Sequence, residues 1–276
     1  MAYTFGGGTG DDLTFGVGLS FGTNSNAQFV AGWWRPTTLT ATRGLWSAGN
    51  VWGAEIDTTT DELRLRSDNT TDGQWTTTGV DLAVNEWKFL AFLITQTNTG
   101  PAVAWKVWAG TIDTPPVAVT VTQAVAPAGN NVGSSNFYLG NKGTGTVAFQ
   151  GDIGNALVHC SGATNTAQLH PFGLAAAGVI SAEAEALVLS RHVLPFWRGE
   201  VFASRGPAPA SGFNTGATER MHHISMDMLP QVRFLNRSDT TTLSGLIPTI
   251  NGATYSQNRE PRVLIPTDPK FPRLAA

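Results

Sequence analysis

Glu55 and Asp57, in the stretch WGAEIDTTT, are two carboxylates separated by one residue. On a β-strand successive side chains point to opposite faces, so both acids share one face while Trp52, Ala54 and Ile56 share the other. Two carboxyl groups about 5 Å apart are the equipment of retaining glycoside hydrolysis, one attacking the sugar and one protonating the leaving oxygen. The same spacing also describes a strand with a wet acidic face. Thr58, Thr59 and Thr60 follow, and a threonine hydroxyl cannot protonate a leaving oxygen near neutral pH. Asp61 and Glu62 stand beyond the expected turn. The prediction is two solvated acids and no catalytic residue.

Four other groups invite chemistry. His222, His223 and Asp227, in HHISMD, offer two imidazoles and a carboxylate to a divalent ion, but adjacent histidines usually point in different directions, which predicts polar packing. His159 and Cys160 suggest a cysteine nucleophile beside its base; neighbours on a strand cannot form that dyad, so Cys160 is expected as a small buried hydrophobe. Gly6-Gly7-Gly8-Thr9-Gly10 lacks the spacing and helix of a phosphate cradle and reads as a turn. Most tryptophans sit in alternating strands, where core packing is the default. Trp75, in DNTTDGQW, is expected to stay exposed and is the candidate for stacking on a sugar ring.

The elements that must position these groups are strands. AQFVAGWW alternates, with Ala27, Phe29, Ala31 and Trp33 on one face, and Pro36 ends the run. GLWSAGNVWGAEID and DELRLRSD form a hairpin, with Ile56, Leu63 and Leu65 on the core face and Arg64 and Arg66 on the other. WKFLAFLIT is apolar on both faces, as for a strand covered by a second sheet, and AVAWKVW follows the turn signal NTGP. VAVTV, NFYL and VAFQGDIGNALVHC complete a series of short strands without interleaved helices, which predicts an antiparallel sandwich. Ser181 is placed to cap a short helix reaching about His192, with Glu183 and Glu185 near its positive end and Leu187 and Leu189 for packing.

From Arg198 onward prolines recur and periodicity fades, yet apolar side chains persist: Ile224, Met226, Met228, Leu229, Phe234, Ile247 and Ile265 among them. Such a segment needs a surface to cover, which predicts an arm wrapped over the sandwich or a neighbouring subunit. The expected organisation is a sandwich over 1–180, a short helix and connector over 181–197, and an extended assembly arm over 198–276.

Composition narrows the partners. A net charge of −3 with 13% charged residues offers no basic surface for nucleic acid or anionic lipid. Cys160 is the only cysteine, so neither an intramolecular disulfide nor a cysteine zinc cluster is available. No run approaches the ~20 apolar residues that span a bilayer, and MAYTFGGGTGDDL has no signal-peptide pattern. The expectation is a protein made in a cytoplasm, with no membrane partner.

The succession AQFVAGWWRPTTL, RGLWSAGNVWGAEID, ELRLRSD, NEWKFLAFLIT, FYLGN and FQGDIGNALVHCSG resembles the concanavalin A-like, laminin G-like jelly roll over residues 1–180. The resemblance implies an all-β, antiparallel two-sheet sandwich. Laminarinase-type glucanases of that superfamily carry acid, Ile, acid, spacer and a further Glu; Glu55-Ile56-Asp57 matches the first part, and the closing Glu is missing. Laminin G-like folds often hold calcium at a rim, so Asp11, Asp12 and Asp152 are the candidate ligands the resemblance implies, although no cofactor is required. Jelly rolls of this kind without a secretion signal resemble modules of phage virion proteins. The expected function is a virion structural protein, as capsid decoration, head fibre or tail attachment, touching other virion proteins and copies of itself, with cell-surface glycan as an outward ligand. A carbohydrate-binding module or lectin without catalysis is the alternative, and a glucanase ranks behind both.

Overall fold

The computed structural model describes residues 2–15, 27–49, 51–58, 61–96, 100–131, 136–142, 145, 147–160, 178–198, 220–224 and 249–256. In chain order the strands are β1 Ala2–Gly6, β2 Asp12–Phe15, β3 Ala27–Pro36, β4 Arg43–Ala48, β5 Trp52–Ile56, β6 Leu63–Ser67, β7 Asn69–Thr71, β8 Gly73–Thr78 and β9 Lys88–Gln96. They continue as β10 Val103–Gly110, β11 Val117–Ala118, β12 Thr120–Val125, β13 Ala128–Asn131, β14 Phe137–Leu139, β15 Gln150–Cys160, β16 Arg220–Ile224, β17 Thr249–Asn251 and β18 Thr254–Ser256. Helix α1 (Ala182–Val188), a π-helical turn (Leu189–Val193) and α2 (Leu194–Trp197) lie between β15 and β16. No helix among the described residues is long and apolar enough to cross a membrane.

The first sheet runs β11-β10-β9-β3-β15-β1-β18, with β16 also paired to β15; the second runs β12-β8-β6-β5-β4-β14-β2-β17, and β7 and β13 form a small ribbon. Every pairing is antiparallel. The chain crosses between the two sheets several times, giving the expected jelly-roll sandwich. Its main core lies between them and is rich in aromatic rings: Trp46 stacks on Phe137 at 5.8 Å, and Trp105 lies 6.1 to 6.4 Å from Trp46, Trp52 and Trp75.

β9 explains its own doubly apolar sequence. Leu90, Phe92 and Ile94 point into the main core, whereas Phe89, Ala91 and Leu93 point to the other side of the first sheet. There they meet Phe29, Ala31 and Trp33 of β3 and are roofed by Val188, Val193, Phe196 and Trp197. The cover on that side is the helical segment, where a second sheet was expected. Ser181 caps α1 as predicted, its Oγ accepting the Ala184 N–H at 3.1 Å. The helical run goes beyond His192 to Trp197, whose indole Nε1 donates to the Thr111 carbonyl at 2.8 Å. Val188, not Leu187, is the buried residue of the last turn of α1.

VAVTV divides at Val119: β11 belongs to the first sheet and β12 to the second, because the chain crosses between sheets there. Beyond residue 198 three short strands are described. β16 pairs with Ala156–Cys160 of β15, β17 with β2, and β18 with β1, so the described parts of the segment after 198 are strands of the sandwich's own sheets. Unpaired sheet edges attract strands, and β1, β2 and the second half of β15 each present one. Ile224 ends β16; Met226, Met228, Leu229, Phe234, Ile247 and Ile265 lie outside the described residues.

Candidate functional site on the outer face of the second sheet

β5 and β6 pair so that Glu55 stands opposite Arg64 and Gly53 opposite Arg66. Trp52, Ala54, Ile56, Leu63 and Leu65 fill the core, which turns Gly53, Glu55, Arg64 and Arg66 outward. Cross-strand neighbours of opposite charge attract, and the side chains close up accordingly. Arg66 Nε donates to Glu55 Oε1 at 3.0 Å, and Arg64 Nη1 lies 3.5 Å from the same oxygen. Arg64 Nη2 donates to Asp57 Oδ2 at 3.2 Å. The Lys142 ammonium stands 3.6 Å from Glu55 Oε2.

The two acids are therefore not the solvated pair that the spacing predicted. Glu55 is 5% and Asp57 7% exposed, each engaged by cations the sandwich brings alongside. Burying a carboxylate is costly unless it is paired and hydrogen-bonded, and three cations serve these two acids. Glu62, across the turn, is an anchor of another kind: it accepts from Thr77 Oγ1 at 2.8 Å and from the Gly79 and Val80 N–H groups.

Lys142 comes from a distant part of the chain. The loop after β14 folds over β4, where the Gly44 N–H donates to the Val147 carbonyl at 2.6 Å. Fully buried Asn141 holds that loop: its Nδ2 donates to the Asp11 carbonyl, and its Oδ1 accepts from the Lys142 and Val147 N–H groups. A side chain at Gly44 would press on the Asn141 backbone at 3.0 Å, and one at Gly53 would meet the Trp46 carbonyl at 2.3 Å. Both glycines are thus required by close backbone approach. Beside them the sheet's outer face has a shallow hollow bordered by Ser47, Glu55, Arg66 and Lys142.

The other candidates separate. Trp75 is 5% exposed, because DNTTDGQW is no loop: it forms β7 and β8, and β8 turns Trp75 into the main core. Trp75 offers no ring to a sugar. Asp12 lies on the second sheet and accepts from Asn251 Nδ2 at 2.7 Å and Thr14 Oγ1 at 2.6 Å. Asp152 lies on the first sheet, accepting from Arg35 Nη1 at 2.8 Å and Thr4 Oγ1 at 2.6 Å. Leu13 and Ile153 point into the core, so their neighbours Asp12 and Asp152 face away on opposite sides of the sandwich. Asp11 accepts the Gly8 N–H at 2.9 Å in the turn before β2. These acids do not converge, and no group of three or more candidate metal ligands occurs among the described residues.

His222 and His223 lie in β16, at register positions opposite Val158 and Leu157, and Asp227 is outside the described residues. His159 and Cys160 are consecutive in β15 and pair on both sides, with β3 and with β16. One group carries a perturbed acidity: burial, reinforced by nearby Asp72, pushes the Asp68 carboxyl up to about 6. Asp68 follows β6 directly.

Sequence reasoning missed the site as a whole while naming several of its parts. The hairpin reading already placed Arg64 and Arg66 away from the core, and the register of β5 with β6 would have paired Arg64 with Glu55. Lys142 had no such signal beyond the turn residues Gly140 and Asn141.

No protein-family model and no curated protein matches the chain. Among solved structures, the chain is similar to domains LG4-5 of the mouse laminin alpha1 chain at 13% identity, over 57% of this chain and 40% of that one, with a TM-score of 0.38. It is also similar to the native heptameric SAP-like pentraxin from Limulus polyphemus at 11% identity, over 57% of this chain and 74% of that one, with a TM-score of 0.34. The chain thus spans well under half of the laminin structure, and likeness at this level carries no argument about activity or ligand.

Proposed function

We propose that this chain is a non-catalytic, lectin-like jelly-roll module serving as a structural protein of a phage particle, as capsid decoration, head fibre or tail attachment, with a host-surface glycan as its outward ligand. The observation that carries the binding half is the open hollow on the second sheet, where polar and charged groups converge around two glycines. Concave sites with a few convergent polar groups are where small ligands bind. The non-catalytic half is supported by the engagement of both Glu55 and Asp57 with cations and by threonines where a closing acid would stand.

The particle half rests on the sequence resemblance and on one surface feature. Residues 114–141 include no charged side chain. Their strands β11 and β12 end the two sheets on one side, with Val117 61% and Val125 43% exposed. An uncharged, partly apolar strand edge suits a neighbouring subunit.

Incubation with laminarin, lichenan and agarose oligosaccharides should release no new reducing ends, while a glycan array should give hits that survive a chelator. Turnover abolished by Glu55→Gln would remove the non-catalytic reading, and a blank array the glycan reading. An antibody to the full chain should decorate phage particles released from lysed hosts; particles that stay unlabelled refute the placement.

A further inference from the structure

We infer that the hollow beside Glu55 is an anion subsite, and that the saccharide it takes is an acidic one, bearing a carboxylate or a sulfate ester. The inference deepens the glycan reading above and rests on it.

The donors decide the chemistry. Arg66 spends its Nε on Glu55 Oε1, at 3.0 Å, and its two terminal nitrogens have no partner among the described residues. A guanidinium edge with both terminal N–H groups unengaged matches two oxygens of one oxyanion. Lys142 makes only a long 3.6 Å approach to Glu55 Oε2, which leaves its ammonium protons for a ligand. Both side chains are reachable, at 27% and 20% exposure, across a hollow whose floor is closed by the backbones at Gly44 and Gly53.

Charge counting points the same way. Arg64, Arg66 and Lys142 face Glu55 and Asp57, so the cluster has three positive groups against two negative and one cation in excess, on a chain whose net charge is −3. Glu55 is the internal counter-ion, holding Arg66 by its inner nitrogen so that the outer edge faces solvent. A neutral sugar would meet donors without charge complementarity, whereas an anion completes the neutralisation. The hollow is shallow and open to solvent, which suits one charged group laid against Arg66 and Lys142 rather than an enclosed chain segment.

The test uses the full chain. Oligogalacturonate and a chondroitin sulfate hexasaccharide are compared with neutral laminarihexaose and cellohexaose by calorimetry. In parallel, glucuronate and inorganic sulfate are titrated while the Arg66 Nε–Hε resonance is followed by NMR. Acidic probes should bind at least about ten-fold more tightly than neutral ones, the margin between charge-assisted and neutral hydrogen bonds. Arg66→Gln and Lys142→Gln should each erase most of that margin, and Arg191→Gln, on the exposed helical cover, should leave it intact. The carboxylate and sulfate probes show which oxyanion is preferred. If Arg66→Gln fails to fold, Lys142→Gln carries the test alone, since its ammonium makes only the long contact among the described residues. Equal binding of neutral and acidic probes overturns the inference, as does an acidic preference untouched by Lys142→Gln. If no oligosaccharide binds but the free anions still shift the Arg66 signal, the glycan reading fails and the anion subsite stands; if neither occurs, the subsite fails too.

Discussion

The two outer faces of this sandwich are built on the same pleat and have opposite fates. On the first sheet Phe29, Ala31, Trp33, Phe89, Ala91 and Leu93 are dry beneath the segment from Ala182 to Trp197. On the second sheet the corresponding face carries Glu55, Arg64, Arg66, Gln74 and Thr76 and, among the described residues, is covered only by the loop bearing Lys142. A strand buried on both faces contributes packing alone, whereas a strand with one polar face can also offer a site. The covered face is committed to stability, and the charged side chains of the other face are the ones on which the proposed binding rests.

The largest effect is expected from removing the late strands. Deleting residues 198–276 strips β16, β17 and β18 from β15, β2 and β1, leaving two sheets with bare edges. The truncated chain should melt at least about 10 °C lower or come out insoluble, measured by calorimetry at matched concentration. A truncated chain that keeps the full-length melting temperature would mean those strands add nothing to the sandwich. Next comes the cover itself. Phe196→Ala empties a buried position against Phe89, and urea unfolding should show a loss of about 3 kcal/mol. A loss below about 1 kcal/mol would mean that the helical segment rests loosely on the first sheet.

On the open face the effects are smaller, because the partners are half-solvated. Glu55→Gln leaves Arg64, Arg66 and Lys142 around a single remaining acid and should cost about 2 kcal/mol, less at high salt. A neutral or stabilising result would show that the cations relax outward into water. The smallest is at Asp68. Its acidity is raised in the folded state to about 6, so the native protein holds this proton more tightly than the unfolded chain, and charging it costs stability. This contribution makes stability fall as pH climbs from about 4 to about 6, by under about 1 kcal/mol after solvent screening. Asp68→Asn should flatten that part of the stability profile in denaturant titrations at pH 4, 5, 6 and 7. An unchanged slope would mean the carboxyl is more hydrated than its burial suggests.

How much was legible follows from the range of each signal. The alternation in LRLRS and the double apolarity of KFLAFLIT are local, and each strand face followed from them directly. The Ser181 cap is equally local, since one side chain satisfies one N–H of its own first turn. Trp75 was misread because β8, with Gly73 and three threonines in place of alternating apolar residues and Asp72 and Gly79 at its ends, looks like a loop until β6 and β12 pair with it on either side. The strands described after Arg198 were not legible for a related reason. β17 and β18 are three residues each, too short for a period to show, and they exist because β2 and β1 present edges more than 200 residues earlier in the chain.

The sequence by itself determined that this chain is an antiparallel β-sandwich, which side chains face inward along its longer strands, and that Glu55 and Asp57 share a face. Those are consequences of a two-residue period and of covalent order, which need no partner to be read. Only the tertiary structure decided that the shared face is an ion-paired hollow: Arg64 and Arg66 arrive by strand register, and Lys142 arrives on a loop pinned by Asn141 to the turn before β2. A carboxylate's neighbours in space fix whether it is a solvated acid or a buried counter-ion. Those neighbours are chosen by packing between segments that the chain separates by almost 90 residues.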